Sequence, residues 1–154
     1  NNQISLNGLR HTSPEIASRF KRSTVYENEI VMSIRATVGT TALVPKILDG
    51  SNLTQGTARI APGEKVTSEY LLHFLRSPKT QNWINRQVKG ATFREITLTR
   101  LRELPVVIPP ISIQRDFSKK VKKYNELLKT VSNYKNLLNE FNQSLEFNLI
   151  NSSK

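Results

Sequence analysis

Between Ile111 and Lys154 the chain has neither glycine nor proline, and this stretch follows directly on Pro109 and Pro110. Inside it Tyr124, Val131, Leu138 and Leu145 recur every seven residues, flanked by Leu127, Leu128, Tyr134 and Phe141. A heptad stripe sustained over several turns is a helix signature. At a rise of 1.5 Å per residue, a helix of roughly 35 residues runs about 50 Å. Its apolar stripe must be covered, either by the chain's own domain or, in better accord with that length, by a coiled-coil partner in a second molecule or a second repeat. The prolines lack amide donors and disfavour helix before them, and Ser112 offers an N-cap oxygen to the free amides of a new helix. The expected division is a domain at residues 1–110 and a long helix at residues 111–154.

The residues ahead of that junction read as α+β, a mixed arrangement of strands and helices. The stretch to about Ser23 is polar, broken by Gly8 and Pro14, and reads as a loop or a segment without its upstream pairing partner. "STVYENEIVMSIRATVG" has the β-branched and apolar density of a strand or hairpin closing at Gly39. "TTALVP" and "GTARIAP" read as two further strands, separated by the turn-like "KILDGSN". In "TSEYLLHFLRSP" the period changes: Leu71, Phe74 and Leu75 share a helical face, Thr67 or Ser68 caps it and Pro78 ends it. "KTQNWINRQVKG" predicts a second short helix with Trp83 and Ile84 inward and Gly90 as its C′ residue. "TLTRLREL" predicts a helical turn and "PVVIP" a last short strand.

Composition narrows the function. Among 154 residues, 23 Lys and Arg face 12 Asp and Glu, a net charge of +11, with a pI of about 10.2. Such an excess creates a positive surface potential and implies a polyanionic partner, nucleic acid before an anionic membrane. No segment approaches the ~20 apolar residues of a membrane span. The start, "NNQISLNGLRHTS", lacks the basic and apolar regions of a signal peptide. It also lacks an initiator Met and opens in polar sequence, so the chain is expected to be a piece of a longer one. Cysteine is absent, which removes disulfides, thiolate catalysis and cysteine metal sites and fits a cytoplasmic protein.

Catalytic signatures are missing as well. His11 and His73 lack the spacing of a paired metal site. Neither a Walker-type phosphate loop nor a dinucleotide fingerprint is present. "IPPI" has the proline pair of adenine methyltransferases without the preceding Asn or Asp and the following aromatic residue. No catalytic residue, metal or cofactor is therefore expected in this chain, which reads as a recognition or assembly component.

The cations point to DNA. Residues 1–110 hold 15 Lys and Arg against 8 Asp and Glu, and residues 111–154 hold 8 against 4. Arginine's planar fork can bond a guanine edge bidentately, whereas lysine mostly neutralises phosphate. Candidate base readers are Arg35, Arg59 and Arg94, with Asn52 and Gln55 of "GSNLTQG" suited to adenine. Lys21, Arg22, Lys46, Lys79, Arg86 and Lys89 are candidate phosphate contacts, and Arg10 belongs to the same basic set. "KGATFREI" forms a glycine-bounded loop whose Lys89, Thr92 and Arg94 suit phosphate gripping, with Phe93 as a wedge or a core residue. On the helix, "KKVKK" around Val121 reads as a solvated face.

Taken in order, "ENEIVMSIRATVGTTALV", "SNLTQGTARIAP", "TSEYLLHFLRSPKTQNWI", "GATFREI" and "LRELPVVIPPISIQRDF" resemble the specificity subunit of type I restriction-modification enzymes, from about Val25 to the C terminus. The Leu-Pro, double-Pro and Gln114 set is the most specific part of the match. The resemblance implies a target recognition domain joined to a spacer helix that pairs with the helix of a second recognition repeat or of a second copy. It further implies that each domain reads one half of a split site in double-stranded DNA. Methylation subunits using S-adenosylmethionine and restriction subunits using ATP and Mg²⁺ would supply the chemistry. The rival expectation is a coiled-coil assembly protein that binds nucleic acid nonspecifically.

Overall fold

A computed structural model describes residues 3–90 and 94–152, with side chains to residue 146. The chain divides into two compact units, Asn1–Arg115 and Asp116–Lys154.

The first unit is built on an antiparallel sheet of β1 (Ile30–Ser33), β2 (Thr41–Leu43) and β3 (Thr57–Ile60) in the order β2-β1-β3. Val31 stands opposite Ala42 on one side and Arg59 on the other. Strand alternation puts Ile30 and Met32 on the same face, where both are fully buried. That face is covered by α2 (Ser68–Arg76) and α3 (Pro78–Gln87). Leu71, Leu72, Leu75, Ile84 and Ile96 complete the core, with Phe74 and Trp83 packed on its edge. The helical face is thus shifted by one residue from the expected one: Leu72 is buried and Phe74 only half-buried.

Caps explain the joint between these helices. Thr67 accepts from Tyr70 N–H at the start of α2. Ser77 closes α2 in an extended conformation and at once caps α3 through Thr80 N–H, leaving Pro78 at the first helical turn, where its missing donor costs nothing. Arg76 ties α2 to the sheet by donating to the Thr41 carbonyl at 2.7 Å. Gln81 does the same for α3, donating to Gly39 and Leu75 carbonyls at 3.1 and 2.7 Å. A Cβ at Gly39, whose φ is +91°, would stand 2.6 Å from Gln81 Oε1, so the β1–β2 turn needs glycine there for conformation and for space.

Several expectations are corrected. The polar N-terminal stretch contains a short helix, α1 (Pro14–Arg19), capped by Ser13 and burying no residue. "PVVIP" is extended but pairs with no strand among the described residues: Pro105, Pro109 and Pro110 remove donors, and Val107 is 66% exposed. Gly90 is not the C′ residue of α3, because Val88 is the C-cap and Lys89 already exchanges backbone bonds with Glu95. The turn at "TLTRLREL" is α4 (Leu98–Arg102), capped by Thr97.

The long helix is α5 (Ile111–Ser152), 42 residues. It begins one residue before Ser112, which is therefore not its cap. The Pro110 carbonyl accepts the first helical bond, from Gln114 N–H. In the second unit the stripe residues Tyr124, Leu127, Leu128, Val131, Tyr134, Leu138, Phe141 and Leu145 are all between 44% and 64% exposed. No helix among the described residues is long and apolar enough to cross a membrane.

Candidate nucleic-acid interface

One end of the sheet gathers segments that are far apart in sequence. Beyond β1, Ile34 N–H donates to the Gly56 carbonyl at 2.8 Å, while Ile34's own carbonyl accepts from Ile96 N–H at 3.0 Å. Ala36 N–H then donates to the Arg94 carbonyl at 3.0 Å. Lys89 and Glu95 exchange a pair of backbone bonds, and Arg35 stands opposite Glu95 in a further bridge. The start of the β1–β2 turn, the end of "GSNLTQG" and the "KGATFREI" loop thus meet. Ala36 adopts a left-handed φ of +57°, uncommon for alanine, beside Arg35.

These backbone bonds bring Arg35, Gln55, Lys89 and Arg94 to the same end, all exposed. Arg35 Nε donates to Glu95 Oε1 at 3.1 Å. Arg94 Nη2 donates to Asn85 Oδ1 at 2.9 Å, which draws in the last turn of α3 and the exposed Arg86 that follows Asn85. Cations outnumber the single carboxylate of Glu95 in this set. Thr92 and Phe93 lie outside the described residues.

Two expected base readers have other duties. Arg59 donates through Nε and Nη2 to the two carboxylate oxygens of Glu29 at 2.6 and 2.5 Å, and its guanidinium lies 5.2 Å from the centre of the Tyr26 ring. The Arg59 hydrogen bond, opposed by burial, holds the Glu29 carboxyl below its ordinary value, and the same bond raises Arg59. With its fork filled by a carboxylate, Arg59 is a cross-sheet brace. Asn52 is likewise engaged: its Nδ2 donates to the Phe20 carbonyl and the Ser23 hydroxyl at 3.0 and 3.1 Å. It staples the turn that carries Lys21 and Arg22 to the start of "NLTQG".

The remaining cations are dispersed. Lys21 and Arg22 are exposed on that stapled turn, Lys79 on the first turn of α3, and Arg10 ahead of α1. Lys46 follows β2 at the end of the sheet opposite Arg35. Arg22, Arg59 and Arg102 border an apolar groove of about 600 Å³ between β3 and α4. No group of three potential metal ligands occurs among the described residues. His73 is pushed below its ordinary value, by burial first and Arg76 second, and belongs to helix packing.

Glu95 and Asn85 were not singled out from sequence. The available signal was the acid directly beside Arg94, the one acidic residue in a basic loop, whose counter-ion only a fold can identify.

Residues 1–140 match the family model described as the type I restriction modification DNA specificity domain. Over 148 residues the chain is 29% identical to the type I restriction enzyme EcoBI specificity subunit of Escherichia coli, covering 93% of this chain and 31% of that protein. The fold is similar to the HsdS subunit of Thermoanaerobacter tengcongensis, with a TM-score of 0.61 and 23% identity over 70% of this chain and 28% of that one. It is also similar to the type I restriction-modification S subunit of M. genitalium, with a TM-score of 0.56 and 15% identity over 73% of this chain and 29% of that one. The chain spans less than a third of the length of each of these proteins.

Proposed function

The chain belongs to the family of type I restriction-modification DNA specificity domains, and on that premise we propose that it recognises one half of a bipartite site in double-stranded DNA without catalysing a reaction itself. The observation that carries this reading is the convergence of Arg35, Gln55, Arg86, Lys89 and Arg94 at one end of the sheet. Arg94 and Gln55 are the base readers in this proposal, and Lys89, Arg86, Lys21 and Arg22 contact phosphate. Arg59 and Asn52 support the loops from within. A protein of this kind works in the cytoplasm, with S-adenosylmethionine, ATP and Mg²⁺ handled by methylation and restriction subunits that dock on it. The exposed stripe of α5 pairs with the helix of a second recognition repeat or a second copy, setting the spacing between half-sites.

The test is selection from a random duplex library at ~150 mM salt, with the mass of the protein in solution measured in the same buffer. Enrichment of an inverted site with fixed spacing is expected for a dimer, and of a single short motif for a lone recognition domain. Binding without enrichment would favour the rival, an assembly protein with nonspecific nucleic-acid affinity. The exposed stripe of α5 is the feature that keeps this rival in view.

A further inference from the structure

Among the arginines of the candidate interface, Arg35 is held in an unusual way. Its backbone is bridged to Glu95. Its stem lies flat over Gly56: a Cβ built on that glycine would stand 3.4 Å from Arg35 Cβ, 3.5 Å from Cδ and 3.7 Å from Cγ. Gly56 has a φ of +87°, a conformation that favours glycine, and a Cβ there would only touch the Arg35 stem at ordinary contact distance. The guanidinium is then fixed through Nε alone, on Glu95. Among the described residues neither terminal nitrogen has a protein partner, and the Arg35 side chain is 54% exposed. Arg59, by contrast, commits both Nε and Nη2 to Glu29.

A side chain that reads a base must project into a groove about 8.5 Å deep. Arg35 spends its length on the protein surface, so its reach falls short of a base edge. A phosphate lies on the outside of the duplex and accepts two parallel N–H bonds from such a fork. We infer that Arg35 is a sequence-independent phosphate clamp that fixes the register of the domain on DNA, and that Glu95 is its positioning residue. A carboxylate so near DNA repels phosphate. Its presence in a basic loop is accounted for by the orientation it imposes on Arg35, which removes the ordering cost at the moment of binding.

This inference rests on the DNA-recognition reading, and the experiment separates the two. The intact chain is titrated with a fluorescein-labelled duplex of mixed sequence, and with any selected site, across a range of salt. If the unaltered protein binds neither duplex at low salt, the recognition reading fails. If it binds, Arg35→Ala is expected to weaken both duplexes by the same factor and to lower the slope of log affinity against log salt by about 0.9, one phosphate contact. Arg35→Lys keeps the charge and is expected to restore the slope with part of the affinity. Glu95→Gln should strengthen binding in the Arg35→Ala protein, where the carboxylate only repels, and fail to do so when Arg35 is present. A loss confined to the selected duplex would make Arg35 a base reader. An unchanged slope, or equal effects of Glu95→Gln in both backgrounds, would likewise overturn the inference. Circular dichroism of each variant keeps misfolding distinct from these outcomes.

Discussion

The side-chain oxygen of Gln114 accepts the backbone N–H of Thr67 at 2.8 Å across 47 residues of sequence. The amide nitrogen of the same side chain donates to the carbonyls of Lys65 and Pro109 at 2.9 and 2.7 Å. Gln114 is fully buried. It joins the first turn of α5 to the loop that enters α2, and each of its polar atoms meets a backbone group of opposite character.

Replacing Gln114 with Met keeps the volume and leaves two carbonyls and one N–H unpaired in the interior, which should cost about 2–4 kcal/mol. Gln114→Glu should be at least as harmful at pH 7, because a carboxylate oxygen would face the Lys65 and Pro109 carbonyls. Its burial favours the protonated form, so acidification should return part of the loss. Urea unfolding at pH 7 and pH 5 measures both effects. A Glu variant as stable as the parent at pH 7 would show that the network contributes little.

The Arg59–Glu29 brace gives a pH dependence. Glu29 is held below the ordinary carboxylate value of 4.5 by Arg59. The unfolded chain therefore takes up its proton first as pH falls. This contribution to stability is fully present above that value and is lost as pH drops through the lower folded one. Arg59→Met should cost about 1.5–3 kcal/mol at pH 7, the range for a hydrogen bond to a charged group, and the difference should shrink toward pH 3. The salt dependence of DNA binding should stay unchanged, since Arg59 is turned to Glu29. A reduced salt slope in Arg59→Met would return Arg59 to the set of DNA contacts.

Local periodicity made much of the scaffold legible. The β-branched and apolar density of "STVYENEIVMSIRATVG" located β1 and its turn at Gly39, and the change of period after Gly63 located α2 and α3. Thr67 is the cap of α2, one of the two residues expected there, while the cap of α3, Ser77, was not anticipated. "PVVIP" failed because β-branched density does not itself supply a pairing partner, and Pro105, Pro109 and Pro110 lack the donors a strand ladder uses. The cation set was legible as chemistry and not as placement. Arg59 and Asn52 met internal partners because cross-strand register put Val31 opposite Arg59 and because Asn52 stands opposite Thr24. Gln114 stood out only through the family resemblance. Its burial arises from a contact with a loop nearly fifty residues upstream, beyond the reach of helical periodicity.

The stripe of α5 predicts association. Tyr124, Leu127, Val131, Tyr134, Leu138, Phe141 and Leu145 alternate at spacings of three and four, the seam of a two-stranded coil. Each apolar side chain buried in such a seam contributes about 1.5–3 kcal/mol. Val131→Glu with Leu138→Glu should therefore turn an associated protein into a monomer at micromolar concentration, measured by sedimentation. An associated mass that survives both changes would place the contact elsewhere on the chain.

Arg94 and Arg35 should separate into two kinds of contact. Both belong to the loops that meet at Glu95, but among the described residues Arg94 is anchored through a terminal nitrogen, on Asn85 at the end of α3, and not through Nε. Among the described residues its other donors have no protein partner, and its exposed side chain on a loop has reach into a groove. If it bonds a guanine edge, Arg94→Ala should cost about 1–3 kcal/mol on the selected site and relax the preference at one base position. Affinity for mixed-sequence DNA should fall much less. Repeating the library selection with Arg94→Ala identifies the position directly, because the enriched motif should lose one base and keep the others. An equal loss on selected and mixed DNA would make Arg94 a phosphate contact and leave Gln55, one residue before the bed of Arg35, as the remaining candidate for direct readout at this end of the sheet.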